Sequence, residues 1–178
     1  MALPSILYRF KIELSDLEKA AYHSLDFRVA QHPSESLLYL LTRVFAYALN
    51  FQAGIEFSAT GLSDPDSPCL RILNPYGGVD LWIEIGNPSN RRMHKASKAA
   101  SKLKIYTYKD PQVLLNELAS EPVYRQKEIE IFSISAAFLN QLAEKIKKDN
   151  QWSLIYMDGT IMVNADDLVA ECELRRHQ

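Results

Sequence analysis

The stretch Gly77-Gly78-Val79-Asp80-Leu81-Trp82-Ile83-Glu84-Ile85-Gly86-Asn87-Pro88, followed by Arg91, Arg92 and Lys95, decides the fold. In an extended chain, side chains two residues apart share a face. Asp80, Trp82, Glu84 and Gly86 are therefore expected on one side, with Leu81, Ile83 and Ile85 turned into an apolar layer on the other. Two carboxylates on one face repel each other, and such a pair is kept for a cation, a proton or a surface role. Pro88 suits the first turn of a helix over 88–101, with Asn87 as its cap. Upstream, Asn74-Pro75-Tyr76-Gly77-Gly78 reads as a turn joining a strand over 69–73 to the strand over 79–85. Downstream, Leu103 to Tyr108 alternates apolar and polar residues and reads as a further strand. Strand, helix and strand through 79–108 form a crossover unit, which implies a mixed sheet with helices on its faces.

The rest of the chain extends this α/β pattern. Residues 5–14 and 25–30 alternate as half-buried strands able to pair across a connection at 16–22. Ser34 is the expected cap of a helix over 35–49, with Glu35 in the first turn where the helix dipole favours an anion. Ile55 to Ser58 is a short strand, and Asp64-Pro65-Asp66-Ser67-Pro68 is a loop. Asp110-Pro111 opens a third helix, 128–132 is a strand, and Ser135 opens a fourth helix over 135–147. Strands over 152–157, 160–164 and 168–174 close the chain, the first two joined by Asp158-Gly159, a strong hairpin dipeptide. There is no repeat, low-complexity tract or linker, so a single domain over 1–178 is expected.

Composition narrows the functional classes. The 178 residues carry a net charge of −2, with 47% hydrophobic and 24% charged residues. These are ordinary globular values, so any polyanion site has to come from local clustering of cations. Cys69 and Cys172 show neither metal-ligand spacing nor a disulfide framework. The chain lacks a secretory-type leader and any apolar run near the ~18 residues a bilayer requires, so a cytoplasmic protein with no membrane partner is expected. Zinc-hydrolase, serine-elbow and phosphate-loop motifs are missing, and His32, His94 and His177 stand alone.

Taken together, His32-Pro33-Ser34-Glu35, then Gly78 to Gly86, then Pro88, Arg91-Arg92 and Lys95, resemble the YaeQ family of bacterial proteins. The opening Met-Ala-Leu fits as well, and the resemblance spans most of the chain, with 80–95 as its specific core. It implies a variant of the PD-(D/E)XK, or restriction-endonuclease-like, fold. In that superfamily the core runs helix, three strands, helix, strand. Acids on the first helix and on the strands hold Mg²⁺, and a lysine steadies the attacking water or the phosphate charge. The resemblance assigns Glu35, Asp80 and Glu84 as metal and catalytic acids, with Asp66 an alternative partner for Glu84. Gly86 stands where the motif lysine belongs, so Lys95, with Arg92 close behind, becomes the candidate migrated cation.

Two functions follow as expectations. One is metal-dependent hydrolysis of phosphodiester bonds. The other is a catalytically inactive nuclease-like fold that binds nucleic acid or a protein partner. Asp80 and Glu84 lie roughly 13 Å apart at ~3.3 Å per residue, too far to share one ion without help. They can instead lie on a wet sheet face, one of them contacting Arg92 or Lys95. From Arg91 to Lys109 seven cations occur with no acid until Asp110, and Arg91, Lys95, Lys98 and Lys102 have helical spacing. Arg91, Arg92 and Lys98 are the candidate nucleic-acid contacts. Tyr76, Trp82, Tyr106 and Tyr108 are candidates to stack bases, with packing as the commoner use.

Overall fold

The structure, a computed structural model, describes residues 4–59, 64 and 66–178. The opening Met-Ala-Leu and Pro65 of the expected loop lie outside the described residues. In chain order the elements are β1 (Ile6–Asp16), β2 (Ala21–Gln31), α1 (Leu37–Leu49), β3 (Ile55–Phe57), β4 (Leu70–Leu73) and β5 (Val79–Ile85). Then come α2 (Asn90–Ala99), β6 (Ala100–Thr107), α3 (Pro111–Ser120), β7 (Glu130–Ser133), α4 (Ala136–Ala143), β8 (Asp149–Met157), β9 (Thr160–Ala165), β10 (Leu168–Glu173) and β11 (Arg175–Arg176). No helix among the described residues is long and apolar enough to cross a membrane.

The chain builds two compact units, each with its own mixed sheet, where the sequence pattern suggested a single sheet. The first comprises Met1–Leu49 and Ile134–Arg175. Its sheet has the order β10-β9-β8-β1-β2. β1 and β2 form a long antiparallel hairpin from Ile6↔Gln31 to Asp16↔Ala21, as their alternation predicts. β8 returns parallel to β1, and β9 and β10 complete a meander. The turn between β8 and β9 places Asp158 and Gly159 at φ of 50° and 71°, the double positive-φ geometry that an Asp-Gly dipeptide favours. Phe10 lies 5.8 Å from Phe27 and 5.2 Å from Trp152, and Phe45 lies 5.5 Å from Phe138, between α1 and α4.

The second unit, Asn50–Ser133 with Arg176–Gln178, holds the stretch from Gly77 to Lys95. Its sheet has the order β11-β7-β6-β5-β4-β3. β3, β4 and β5 are antiparallel, then β5, β6 and β7 run parallel through the helical crossovers α2 and α3. Met93 and Ala96 of α2, and Leu114 and Leu118 of α3, pack on Trp82, Leu103, Ile105 and Ile131. Leu81, Ile83 and Ile85 on the opposite face are buried too. Such two-sided burial is what a central, partly parallel strand requires.

Several boundaries move for local chemical reasons. α1 begins at Leu37, and its cap is Ser36, whose hydroxyl accepts from Tyr39 N at 3.2 Å; Ser34 lies further upstream. Glu35 therefore precedes the helix instead of sitting in its first turn. α2 is capped by Ser89, not Asn87, because the Ser89 oxygen accepts from Arg92 N. Asn87 instead accepts from Thr107 Oγ1 at 2.7 Å and donates to the Asp110 carbonyl at 3.1 Å. α2 ends at Ala99 and β6 starts at once, so Lys102 belongs to a strand and leaves the helical stripe. Tyr108 falls beyond the end of β6. α4 stops at Ala143, and Gln126–Glu128 is a short 3-10 turn ahead of β7.

Gly86 has a backbone reason to be glycine. It leaves β5 at φ +80°, and its N–H donates to the Tyr106 carbonyl at 2.8 Å. A Cβ built there meets nothing within 4 Å, so the constraint is conformational and not steric crowding. The left-handed region costs an L-residue roughly 1–2 kcal/mol. Gly86→Ala and Gly86→Lys should therefore lower unfolding free energy by the same amount, about 1–2 kcal/mol, in urea titrations. A Gly86→Lys variant as stable as the parent would contradict this account.

Candidate functional site

The centre of the second unit is a carboxylate carried by a buried strand. Glu84 is 2% exposed. It shares a face with Trp82, so the indole nitrogen, itself buried and in need of an acceptor, donates to Glu84 Oε1 at 2.5 Å. Arg92, on the flank of α2, places Nε 2.8 Å from Glu84 Oε2, and the Cys69 thiol lies 3.8 Å from the same oxygen. Burial pushes the Glu84 carboxyl above its ordinary value, while Arg92, Trp82 and Cys69 pull it back only in part. The wet sheet face considered for this acid does not exist at Glu84, although the expected contact with a nearby arginine does.

Arg92 also reaches beyond the pair. Its Nη2 donates to the Ser67 carbonyl at 2.7 Å, fixing the segment that leads into β4. One turn on, Lys95 meets Asp66 at 2.5 Å, with both side chains well exposed. Asp64 accepts from Ser67 Oγ and from Asp66 N, and these bonds hold its carboxyl below the ordinary range. One flank of α2 is thus tied to Ser67 by a hydrogen bond from Arg92 and to Asp66 by an exposed ion pair from Lys95. Lys95, the candidate migrated lysine, is bound to Asp66, and it is Arg92 that reaches Glu84.

The other acids stand in different settings. Asp80 is exposed and accepts from Asn74 Nδ2 at 3.2 Å. Asn74 Oδ1 in turn holds the N–H groups of Tyr76 and Gly78, so Asp80 supports the hairpin turn. A Cβ on Gly78 would lie 2.7 Å from Asn74 Nδ2, which explains the glycine. Glu35 lies in the first unit and is 6% exposed. Arg43 grips both of its oxygens, Nε at 2.8 Å and Nη2 at 2.7 Å, and His32 N donates at 3.0 Å. Burial raises the Glu35 carboxyl despite that fork. Among the described residues, no three His, Cys, Asp or Glu side chains gather as a metal-holding group.

The cations of α2 sort by face. Met93, Ala96 and Ser97 are buried, and Arg91, Lys95 and Lys98 lie on the opposite, exposed side. Of the candidate stacking aromatics, Trp82 and Tyr106 are buried, the Tyr106 hydroxyl accepting from Asn50. Tyr76, at the β4–β5 hairpin, is 97% exposed. Sequence reading missed Arg43 and Cys69 as partners of the two buried acids. Arg43 left a signal as the lone charge in the apolar run Leu37 to Leu49, a residue that burial obliges to find a carboxylate. Cys69 left none.

Among the described residues, two mixed sheets and four α-helices, with an ion-paired acid on a central strand of the second sheet, define a mixed α/β protein. The chain belongs to the YaeQ family, whose model, described as YaeQ protein, matches residues 1–174. It is similar to the YaeQ protein of Pseudomonas syringae, a crystal structure with TM-score 0.90 and 27% identity, covering 99% of this chain and 98% of that one. It is also similar to YaeQ of Xanthomonas axonopodis pv. citri, with TM-score 0.91, 25% identity and coverage of 98% and 99%. Among curated proteins it is 32% identical over 108 residues to the uncharacterized protein YaeQ of Escherichia coli K12. That match spans 61% of this chain and 59% of the relative's length.

Removing Arg92 leaves a buried carboxylate with no counter-charge, typically a loss of about 3–5 kcal/mol. Arg92→Met should therefore destabilise strongly at neutral pH. Because the Glu84 carboxyl already sits above its ordinary value, and loses a group that lowers it, the penalty applies above the folded pKa. It should shrink as acid protonates Glu84. Adding Glu84→Leu should recover much of the loss at pH 7 in urea titrations. Equal penalties at acid and neutral pH would refute the pairing.

Proposed function

We propose that this chain is a nuclease-like module that binds nucleic acid without hydrolysing it. The observation carrying the reading is the outer face of α2, where Arg91, Lys95 and Lys98 project from a helix with no acid in its sequence. Arg91 and Lys98 make no ion pair among the described residues. Lys95 is held by Asp66 only in an exposed pair, worth about 0–1 kcal/mol, which a phosphate can displace. Neutralising phosphates with such side chains releases counterions and makes affinity salt-dependent.

The superfamily assignment rests on element order. Along the chain α1, β3, β4, β5, α2 and β6 follow the helix, three strands, helix, strand sequence that the resemblance implies, with Glu84 on the third of those strands. The residues do not fit the Mg²⁺ that a hydrolytic version needs. Mg²⁺ takes oxygen ligands at about 2.0–2.1 Å in octahedral geometry. The Glu84 oxygens are committed to Trp82 and Arg92, Glu35 to Arg43, and Asp80 to the hairpin turn. The lysine position is a left-handed glycine. An arginine thus stands where a cation would go, which favours the inactive alternative over metal-dependent cleavage.

Fluorescence anisotropy with labelled single- and double-stranded DNA and RNA tests this. Binding should weaken steeply with salt, and Arg91→Gln with Lys98→Gln should reduce the salt slope by roughly two. Calorimetric titration with MgCl₂ should give no saturable heat, and the nucleic acid should remain intact. Salt-independent binding, or none, removes the proposal. Mg²⁺-dependent cleavage abolished by Glu84→Gln would instead establish the hydrolytic reading.

A further inference from the structure

The long hairpin of the first unit ends in an edge that its sheet leaves unused. β2 closes one side of the order β10-β9-β8-β1-β2, and among the described residues no strand lies beyond it. A sheet edge is a row of unpaired N–H and C=O groups, which proteins blunt with short strands, proline, bulges or a covering element. The other edges here are short: β3 has three residues, β11 two and β10 six. β2 has eleven, without glycine or proline, and its register with β1 runs unbroken from Ile6↔Gln31 to Asp16↔Ala21.

The side chains of β2 add two further observations. Leu25 and Val29 are buried on the inner face, yet Phe27 between them is only half-buried, although its ring meets those of Phe10 and Tyr47. On the outer face Arg28 stands directly opposite Arg9 of β1, and like charges facing each other across a ladder are unfavourable. Asp26 relieves Arg9 through a two-point fork, whereas Arg28 makes no ion pair among the described residues. At the middle of the open strand, an arginine thus lacks an acid and an aromatic ring lacks full cover.

A second β2 supplies both. An antiparallel pair about a two-fold axis at Phe27 sets Asp26 opposite Arg28 of the other copy, twice by symmetry. The same register sets Leu25 opposite Val29 and Phe27 opposite Phe27, so apolar meets apolar on the inner face. The overlap runs from His23 to Gln31; Arg43 already holds the Ala30 carbonyl, so the core of the contact is Leu25 to Val29. Axes at Asp26 or Arg28 would oppose like charges, and an axis at Leu25 would leave both charges facing neutral residues. We propose that this chain pairs with a second copy of itself through β2, joining two five-stranded sheets into one. The contact is isologous and uses both open edges, so assembly stops at a dimer. A strand-to-strand contact lies at the small end of specific interfaces, so the dimer is reversible. The proposal is independent of the nucleic-acid reading, which concerns the second unit.

Sedimentation velocity on the full chain between about 1 μM and 1 mM tests it, with a monomer–dimer equilibrium of Kd on the order of 10 μM expected. Arg28→Asp and Asp26→Arg each oppose like charges across the axis and should weaken the dimer by roughly tenfold or more. An equimolar mixture of the two variants restores opposite charges at both positions and should recover a heterodimer within about threefold of the parent Kd. Arg28→Asp removes no ion pair of the single chain, so an unchanged thermal midpoint serves as its folding control. Should Asp26→Arg fail to fold for want of the Arg9 fork, hydrogen exchange decides. The amides from Leu25 to Val29 should gain protection as the parent concentration rises through the Kd, and should not in Arg28→Asp. A chain that stays monomeric at about 1 mM overturns the proposal and leaves the edge to a strand of another protein. So does a dimer that Arg28→Asp leaves unchanged, or a mixture of the two folded variants that stays monomeric.

Discussion

A buried carboxylate has to find a counter-charge, and in this protein that requirement organises the central strand of the second unit. Glu84 sits where water does not reach, so its charge is tolerated only because Trp82, Arg92 and the Cys69 thiol surround it. The consequence spreads outward. Arg92 is held on one side by the acid and on the other by the Ser67 carbonyl, so the ion pair also ties α2 to the chain entering β4. Trp82 satisfies its own buried N–H with the same carboxylate while its ring fills the core beneath α2 and α3. A hydrophobic residue at position 84 would pack without these costs. What the acid supplies is the tie between β5, α2 and the chain entering β4.

The first unit repeats the device independently. Glu35 and Arg43 form a two-point fork, and the same arginine donates to the Ala30 carbonyl while Gln31 donates to the Glu35 carbonyl. The pair fastens the end of β2 to α1 across a short connection. An acid preceding a helix and an acid on a strand resemble a nuclease signature in one dimension. In three dimensions each has its own guanidinium. The counter-charge each buried acid needs is supplied by an arginine of the chain itself.

Legibility in the sequence followed the range of the forces involved. Alternation at period two placed β1, β2, β5 and most of β6, and turn chemistry placed the hairpins at 74–78 and 158–159, because those signals are local. Ser135 and Asp110 were readable as caps for the same reason. Ser34 and Asn87 were not, since several polar residues in a row compete for one cap and the geometry of the incoming chain selects Ser36 and Ser89. Glu84 and Arg92 could be named as important, yet the burial of Glu84 could not be read. Its wet-face appearance came from period two, whereas the helices that cover it are set by the crossover topology. Asn90 carried no signal, because its role depends on where α3 ends relative to α2.

The two flanks of α2 show how one short helix can serve separate tasks. On one side Arg92 is engaged with Glu84 and the Ser67 carbonyl, and Lys95 meets Asp66 in an exposed pair. On the other side Asn90 donates to the end of α3 and His94 accepts from the Tyr124 amide. Only the outer ridge, Arg91 and Lys98, retains cationic charge that no acid among the described residues neutralises. A polyanion needs surplus positive charge, and the surplus lies on that ridge and not at the buried pair. Whatever binds the outer face of α2 therefore does so away from Glu84. The motif acid that suggested catalysis lies on β5, and the cations that suggested binding lie on the outer ridge of α2.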